Sequence, residues 1–138
     1  RTLGELLLEP TRIYAKPIVS LLRGYTVKKI VTGMAHITGG GLPENLPRCL
    51  PEGCAARIAT SSWARPPLFR WLQEAGDIPE RDLWHTFNLG IGFCLVVPAG
   101  SEDAVIEQCR GKSHQAWVIG NVTSNTPGSA AVLDGVPA

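Results

Sequence analysis

Apolar residues along this chain recur at two spacings, the three-to-four-residue period of a helix and the short unbroken run of a strand. The helical spacing, with its proline, serine and glycine end signals, predicts helices over residues 13–23, 43–50, 67–76, 79–87 and 101–111. Apolar and β-branched runs predict strands over residues 34–38, 54–60, 91–97, 116–122 and 130–133. The run at 91–97 is the most apolar in the chain, so we expect it to be a central strand.

The remaining segments frame these elements. Residues 1–12 are expected to be a linker or short extended piece arriving from a preceding domain, and residues 124–138 a small-residue tail. Trp63 and Trp71 are interpreted as core or packing aromatics. Helices alternate with strands, which predicts an α/β (α+β) fold with helices flanking a mixed sheet. We expect residues 1–138 to form a single domain, and a first residue of Arg1 instead of Met indicates a longer parent protein.

The stretch of three glycines, Gly39 to Gly41, lies between a predicted strand and a predicted helix start at Pro43. That order presents backbone N–H groups at the positive end of a helix, a common way to hold phosphate. The loop is neither a Walker A sequence nor a dinucleotide fingerprint. A tight turn between two closely packed elements is the alternative, and both interpretations stay open at this point. Pro47 predicts that the following helix is short or irregular, because proline lacks a backbone donor.

Composition excludes several function classes. The formal net charge is +1, which gives no field for steering nucleic acid or an acidic membrane. No apolar run approaches transmembrane length and no secretory signal is visible. The four cysteines form no C-x-x-C pair, so we interpret them as reduced thiols of a cytoplasmic protein. No carboxylate cluster suggests a metal site, and no side chain has a recognisable nucleophile setting.

Five motifs, in order, resemble the signature of the phosphoribosylformylglycinamidine cyclo-ligase family, also called aminoimidazole ribonucleotide synthetases. They cover roughly residues 5 to 123, and the resemblance is to the family's C-terminal half only. The motifs are Glu9-Pro-Thr-Arg-Ile-Tyr14, His36-Ile-Thr-Gly-Gly-Gly-Leu-Pro-Glu-Asn-Leu-Pro-Arg48, Phe69-Arg-Trp-Leu72, Thr86-Phe-Asn-Leu-Gly-Ile-Gly92 and Ala116-Trp-Val-Ile-Gly120.

The resemblance implies an ATP-dependent enzyme of purine biosynthesis that closes the imidazole ring of aminoimidazole ribonucleotide from formylglycinamidine ribonucleotide. It also implies a cytosolic, Mg²⁺-dependent homodimer whose ATP and Mg²⁺ are bound mainly by an N-terminal domain. The fold implied is α/β with a mixed sheet and a partial ferredoxin-like topology. On this basis the chain is the C-terminal domain of a two-domain enzyme, and alone it is expected to be inactive.

Candidate residues cluster around the glycine loop. His36 is the candidate catalytic residue, through proton transfer or donation to a phosphate, although a lone histidine is also a common structural residue. The candidate phosphate-binding residues are Thr38, Gly39, Gly40, Gly41, Asn45 and Arg48. Arg48 has a simpler interpretation as the i,i+4 partner of Glu44. The candidate cleft-lining residues are Arg12, Asn88 and Gly90, and no metal ligand is proposed.

Two alternative functions stay open. Formylglycinamidine synthase, selenophosphate synthetase and thiamine-monophosphate kinase share this architecture, but they carry an aspartate-led version of the strand–glycine motif. His36 and the Pro43–Arg48 sequence favour the cyclo-ligase. The second alternative is a non-catalytic module that binds phosphate or dimerises.

Overall fold

Helices and strands alternate along most of the chain in the computed structural model, which describes residues 1–124 and 130–137. The helices are α1 (Leu3–Leu7), α2 (Ala15–Arg23), α3 (Gly41–Asn45), α4 (Pro67–Gly76), α5 (Glu80–Thr86) and α6 (Glu102–Arg110), with a 3₁₀ turn at Leu46–Cys49. The strands are β1 (Gly33–His36), β2 (Cys54–Ile58), β3 (Phe93–Val96), β4 (Gly120–Ser124) and β5 (Ala131–Leu133). No helix of the described residues is long and apolar enough to cross a membrane.

The described strands form two sheets. β1 and β3 pair antiparallel, with His36 directly opposite Phe93. β2 lies between β4, which runs antiparallel to it, and β5, which runs parallel. The α/β class with a mixed sheet is therefore confirmed. The prediction that residues 91–97 form a central strand is wrong, because within the described residues β3 pairs with β1 alone.

The main core lies where the first turn of α3, the inner face of α5 and the two sheets meet. Leu42 and Leu83 are almost fully buried there, at 1% and 0% exposure. Trp63 is buried as predicted, and its indole N–H donates to the carbonyl oxygen of Leu89 at 2.9 Å. Trp71 is not a core residue, because it lies 45% exposed on α4. A smaller core of Leu21, Ile30 and Val105 joins α2 to α6.

Some helix ends agree with the end signals of the sequence and others differ, because α2 begins at Ala15 and not at residue 13, and α3 begins at Gly41 and not at Pro43. α4 begins at Pro67 and ends at Gly76 as predicted, and Asp77 terminates it in a left-handed conformation. The glycine-loop helix is short, as Pro47 predicted, because α3 gives way to a 3₁₀ turn at Leu46. Ser101 precedes α6 without a side-chain cap, although we predicted one.

Both chain ends differ from the sequence-based expectation. The predicted linker over residues 1–12 is wrong in part, because α1 is a helix closed by a capping box between Thr2 and Glu5. The last predicted strand is confirmed as β5, while the strand predicted at 116–122 begins only at Gly120. The rest of the predicted small-residue tail, residues 125–129 and 138, lies outside the described residues.

Candidate functional site at the glycine loop

The glycine loop joins β1 to α3, so the predicted order of strand, glycines and helix is confirmed. After the strand, the N–H group of Ile37 donates to the carbonyl oxygen of Gly92 at 2.9 Å, which joins the loop to the residue before β3. The N–H group of Gly41 then donates to the carbonyl oxygen of Thr38 at 3.1 Å and closes a turn. The loop is therefore held at both ends by backbone hydrogen bonds.

The three glycines meet different structural demands. Gly41 has a φ of 62°, and a Cβ placed there would overlap the carbonyl oxygen of Trp84 and lie 2.8 Å from that of Phe87. Gly40 has a φ of 94°, which also favours glycine. Neither demand applies to Gly39, because its φ is not left-handed and a Cβ there would have no neighbour within 4 Å. The packing interpretation thus explains Gly41 and leaves Gly39 unexplained.

Asn45 braces the loop from inside the protein. It is 3% exposed, and its side-chain amide lies within hydrogen-bond distance of the carbonyl oxygens of Thr38 (3.2 Å), Gly39 (3.1 Å) and Gly41 (2.8 Å). The Thr38 hydroxyl donates in turn to the Asn45 side-chain oxygen at 3.3 Å. The loop carbonyls therefore turn inward. Among the described residues, no hydrogen bond uses the N–H groups of Gly39 or Gly40.

Glu44 and Arg48 set the charge near the loop. The carboxylate of Glu44 folds back over the loop, and a Cβ placed on Gly40 would lie 2.8 Å from its carboxyl carbon. A phosphate on this side of the loop would displace that carboxylate, because the two charges repel. Arg48 is exposed and forms no ion pair with any described residue, so the pairing with Glu44 considered from the sequence does not form.

His36 lies exposed on β1, two residues before the loop, within a group of three aromatic rings. Its ring centroid lies 5.7 Å from that of Tyr14 and 6.0 Å from that of Phe93, and Tyr14 lies 5.5 Å from Phe93. Tyr14 also covers Gly92, where a Cβ would come within 2.7 Å of the tyrosine Cζ. Tyr14 was absent from our sequence-based site, although it ends the Glu9–Tyr14 motif.

The three predicted cleft-lining residues have different surroundings. Asn88 makes a turn, in which its side-chain oxygen accepts from the N–H of Gly90 at 3.0 Å and its carbonyl oxygen accepts from Ile91 at 3.0 Å. Gly90 packs against the ring of Pro66, where a Cβ would come within 2.8 Å of the proline Cδ. Arg12 is exposed and has no described contact with the loop. Asn88 and Gly90 thus have structural roles that do not require a ligand.

The described cysteines are all free thiols, namely Cys49, Cys54, Cys94 and Cys109. Burial raises the pKa of the Cys94 thiol to about 12, and it also raises the pKa values of Cys49 and Cys109. Thiols held in the neutral form are weak nucleophiles. The described residues contain no group of three or more His, Cys, Asp or Glu side chains that could hold a metal ion.

The carboxylate with the most perturbed pKa lies outside the loop, between α4 and α5. Glu80 accepts hydrogen bonds from Arg65, from Gln73 at 2.8 Å and from the Trp84 indole at 2.8 Å. These donors, Arg65 above all, lower the pKa of Glu80 to about 2 against the opposing effect of burial. The hydrogen bonds of this carboxylate are all used within the protein, where they join α4 to α5. We therefore interpret the cluster as structural.

A cavity of about 490 Å³ lies on the segment after α6 and contains none of the predicted site residues. Its lining residues are Arg110, Ser113, His114, Gln115, Ala116 and Trp117. The candidate site therefore rests on the unpaired donors and geometry of the glycine loop and not on the presence of a deep cavity there.

Comparison with known proteins finds sequence similarity over almost the whole chain. Residues 1–132 match the family described as AIR synthase related protein, C-terminal domain. The chain is 76% identical over 132 residues to a phosphoribosylformylglycinamidine cyclo-ligase of Synechococcus sp. (strain CC9605), covering 96% of this chain and 37% of that relative. It is 59% identical over 131 residues to the enzyme of that name from Synechococcus sp. (strain CC9902), covering 95% and 37% of the two chains. For the one from Prochlorococcus marinus (strain MIT 9313), the identity is 52% over 137 residues, covering 99% and 39%. The chain thus spans little more than a third of these curated relatives.

Proposed function

The chain belongs to the family of AIR synthase related proteins, as their C-terminal domain, and from this premise we propose that it is part of an ATP-dependent cyclo-ligase of purine biosynthesis. The proposed substrate is formylglycinamidine ribonucleotide. ATP activates its formyl amide oxygen, an amidine nitrogen attacks the activated carbon, and the imidazole ring closes with release of ADP and phosphate. The names and high identity of the relatives support this proposal.

The rest of the active site is proposed to lie outside this chain. Because the chain spans 37% of its 76% identical relative, a preceding N-terminal domain is the proposed partner. The described residues contain no group of three or more His, Cys, Asp or Glu side chains that could hold a metal ion, and we assign ATP and Mg²⁺ mainly to that partner domain. A cytoplasmic homodimer completes the proposal, as the family resemblance implies.

Within this chain, the glycine loop is the proposed site for the 5′-phosphate of the substrate. Gly39 carries this proposal, because neither its backbone conformation nor its packing requires a glycine, whereas close approach of an external ligand would. The N–H groups of Gly39 and Gly40 supply donors, and Gly41 sets the turn. The Thr38 hydroxyl would exchange its bond to Asn45 for one to the phosphate.

The other site residues have supporting roles in the proposal. Asn45 holds the loop carbonyls inward, so that the N–H groups face out towards the anion. Arg48 supplies a guanidinium that no described carboxylate neutralises, and such a group binds phosphate well. His36 moves a proton during ring closure or donates to the phosphate. Arg12, Asn88 and Gly90 are proposed to line the cleft.

Substituting Gly39 tests the phosphate site better than substituting its neighbours, because Gly39→Val introduces no described clash. In the full-length enzyme we expect KM for the ribonucleotide to rise by at least about tenfold, because the valine side chain would block the phosphate from the loop N–H groups and so weaken at least one hydrogen bond to a charged group. KM for ATP and the urea midpoint should stay near the wild-type values.

Gly111→Ala serves as the control, since it adds a side chain with ordinary contacts at the end of α6. An unchanged ribonucleotide KM in a folded Gly39→Val enzyme would contradict the phosphate role and leave the loop as a packing turn.

A further inference from the structure

Three segments that are distant in sequence bring one aromatic ring each to the same place beside the glycine loop. Tyr14 lies immediately before α2, His36 lies on β1 and Phe93 lies on β3. The His36 and Phe93 rings are cross-strand partners that stack with an angle of 28° between their planes. Tyr14 meets His36 edge-on, at an angle of 64°. His36 thus has an aromatic neighbour on two sides, although it is exposed to solvent.

We infer that Tyr14 is a positioning residue, whose ring, together with that of Phe93, holds the imidazole of His36 in one orientation beside the glycine loop. This inference rests on the proposed function, because it gives the orientation of His36 a purpose in the reaction. An exposed histidine otherwise samples several rotamers, which weakens any proton transfer that depends on distance and angle. Edge-to-face and stacked contacts at 5.7 Å and 6.0 Å restrict that sampling.

The backbone around Gly92 is shaped to admit the tyrosine ring. A Cβ on Gly92 would overlap the Tyr14 hydroxyl and lie 2.7 Å from the tyrosine Cζ, so any side chain there would displace Tyr14. The φ of Gly92 is not left-handed, which removes backbone strain as the reason for a glycine. Gly92 also accepts the hydrogen bond from Ile37, the residue after His36. Tyr14 therefore contacts both Gly92 and His36.

The ring of Tyr14 makes the contacts with His36 and Phe93, while its hydroxyl lies against Gly92. Among the described residues, no hydrogen bond to the Tyr14 hydroxyl is formed. Tyr14→Phe keeps the ring, whereas Tyr14→Leu removes the edge that meets His36. The two variants therefore separate an orienting contact from a role of the hydroxyl in chemistry.

Steady-state kinetics of the full-length enzyme provide the first test. We expect Tyr14→Leu to lower kcat by about tenfold to a hundredfold, the cost of misplacing a proton-transfer group, with little change in KM for ATP. Tyr14→Phe should lose far less kcat than Tyr14→Leu. Gly92→Ala should reproduce the defect of Tyr14→Leu without changing any aromatic residue. Tyr25→Leu is the control, because the other tyrosine packs in the separate core between α2 and α6.

A double variant tests whether Tyr14 acts through His36. Tyr14→Leu combined with His36→Asn should lose no more kcat than His36→Asn alone, because one contact cannot be removed twice. Fully multiplicative losses, or equal losses for Tyr14→Phe and Tyr14→Leu, would overturn the inference.

Nuclear magnetic resonance of the full-length enzyme with labelled histidines measures the chemical shift of each imidazole. A general loss of stability would not change the shift of His36 alone. The His36 imidazole signals, identified by their loss in His36→Asn, should shift in Tyr14→Leu and Gly92→Ala while those of His85 and His114 stay in place. Unmoved His36 signals would overturn the inference. An unchanged kcat for His36→Asn would instead contradict the proposed catalytic role of His36, and the spectra would still decide whether Tyr14 orients the ring.

Discussion

Glycine stands at positions 39 and 41, but of these two positions the fold requires a glycine only at 41. Gly41→Ala would force a side chain into the backbone of α5 at a left-handed φ, so we expect it to destabilise the protein by roughly 1–3 kcal/mol. Gly39→Ala should change the free energy of unfolding by no more than about 0.5 kcal/mol. Urea unfolding of the two variants checks this, and equal losses would contradict the packing assigned to Gly41.

Asn45 is the side chain on which the shape of the loop depends. Asn45→Asp replaces the amide donor with a carboxylate that would face the carbonyl oxygens of Thr38, Gly39 and Gly41. Because a buried acceptor cannot satisfy other acceptors, we expect a loss of at least about 1–3 kcal/mol at pH 7. Asn45→Ala should cost a similar amount by leaving those carbonyls unpaired. Thermal unfolding measures both, with Asn121→Asp on exposed β4 as the control. Wild-type stability in both variants would contradict the bracing role.

Residue types and their spacing identified the glycine loop, but they could not predict the role of each side chain in it. Asn45 was predicted as a phosphate ligand, and only the fold reveals that its amide faces inward to the loop carbonyls. Tyr14 was missed because its partners, His36 and Phe93, are distant in sequence. Gly92, inside the predicted strand 91–97, was a usable signal, since a glycine within a strand often marks a close neighbour.

At the scale of elements, Glu80 joins α4 to α5 and makes their stability depend on pH. Its pKa in the folded protein is about 2, below the ordinary value of 4.5, so its contribution is fully present above pH 4.5 and is lost as the pH falls towards 2. Glu80→Gln should therefore cost stability at pH 7 and progressively less as the pH falls below 4.5. Because the side chain is 35% exposed, we expect the cost at pH 7 to be about 1 kcal/mol or less.

Denaturant unfolding at pH 7 and pH 3 measures this dependence. Glu74→Gln, on the exposed face of α4, is the matched control and should show no such change between the two pH values. A Glu80→Gln deficit that is the same at both pH values would show that the charge contributes nothing.

Elements with local end signals were predictable, and those defined by distant partners were not. α4 was bounded correctly by Pro67 and Gly76, which act on the backbone directly. The helix α1 was missed although Thr2 and Glu5 form a capping box, because five residues give no hydrophobic period to detect. β3 has the composition of a central strand, but its number of partners depends on pairing that periodicity cannot report.

At the scale of the whole molecule, the chain contributes one side of a proposed active site. Its unpaired donors converge on the glycine loop, its aromatic rings meet beside His36, and its strongest ion pair lies elsewhere, between α4 and α5. The described residues contain no group of three or more His, Cys, Asp or Glu side chains that could hold a metal ion, and we propose that ATP and Mg²⁺ are bound mainly by the N-terminal domain. On this proposal, ring closure needs groups that the N-terminal domain supplies.

Because ATP and Mg²⁺ are assigned mainly to the N-terminal domain, we expect the isolated chain to show no cyclo-ligase turnover. The measurement is ADP release from ATP with formylglycinamidine ribonucleotide and Mg²⁺, set against a blank without protein. Adding the separately produced N-terminal part of the enzyme should restore turnover, and Gly39→Val in the chain should weaken that rescue while Gly111→Ala should not. ADP release by the chain alone, dependent on the ribonucleotide, would contradict the prediction and would place a complete ATP site within these 138 residues.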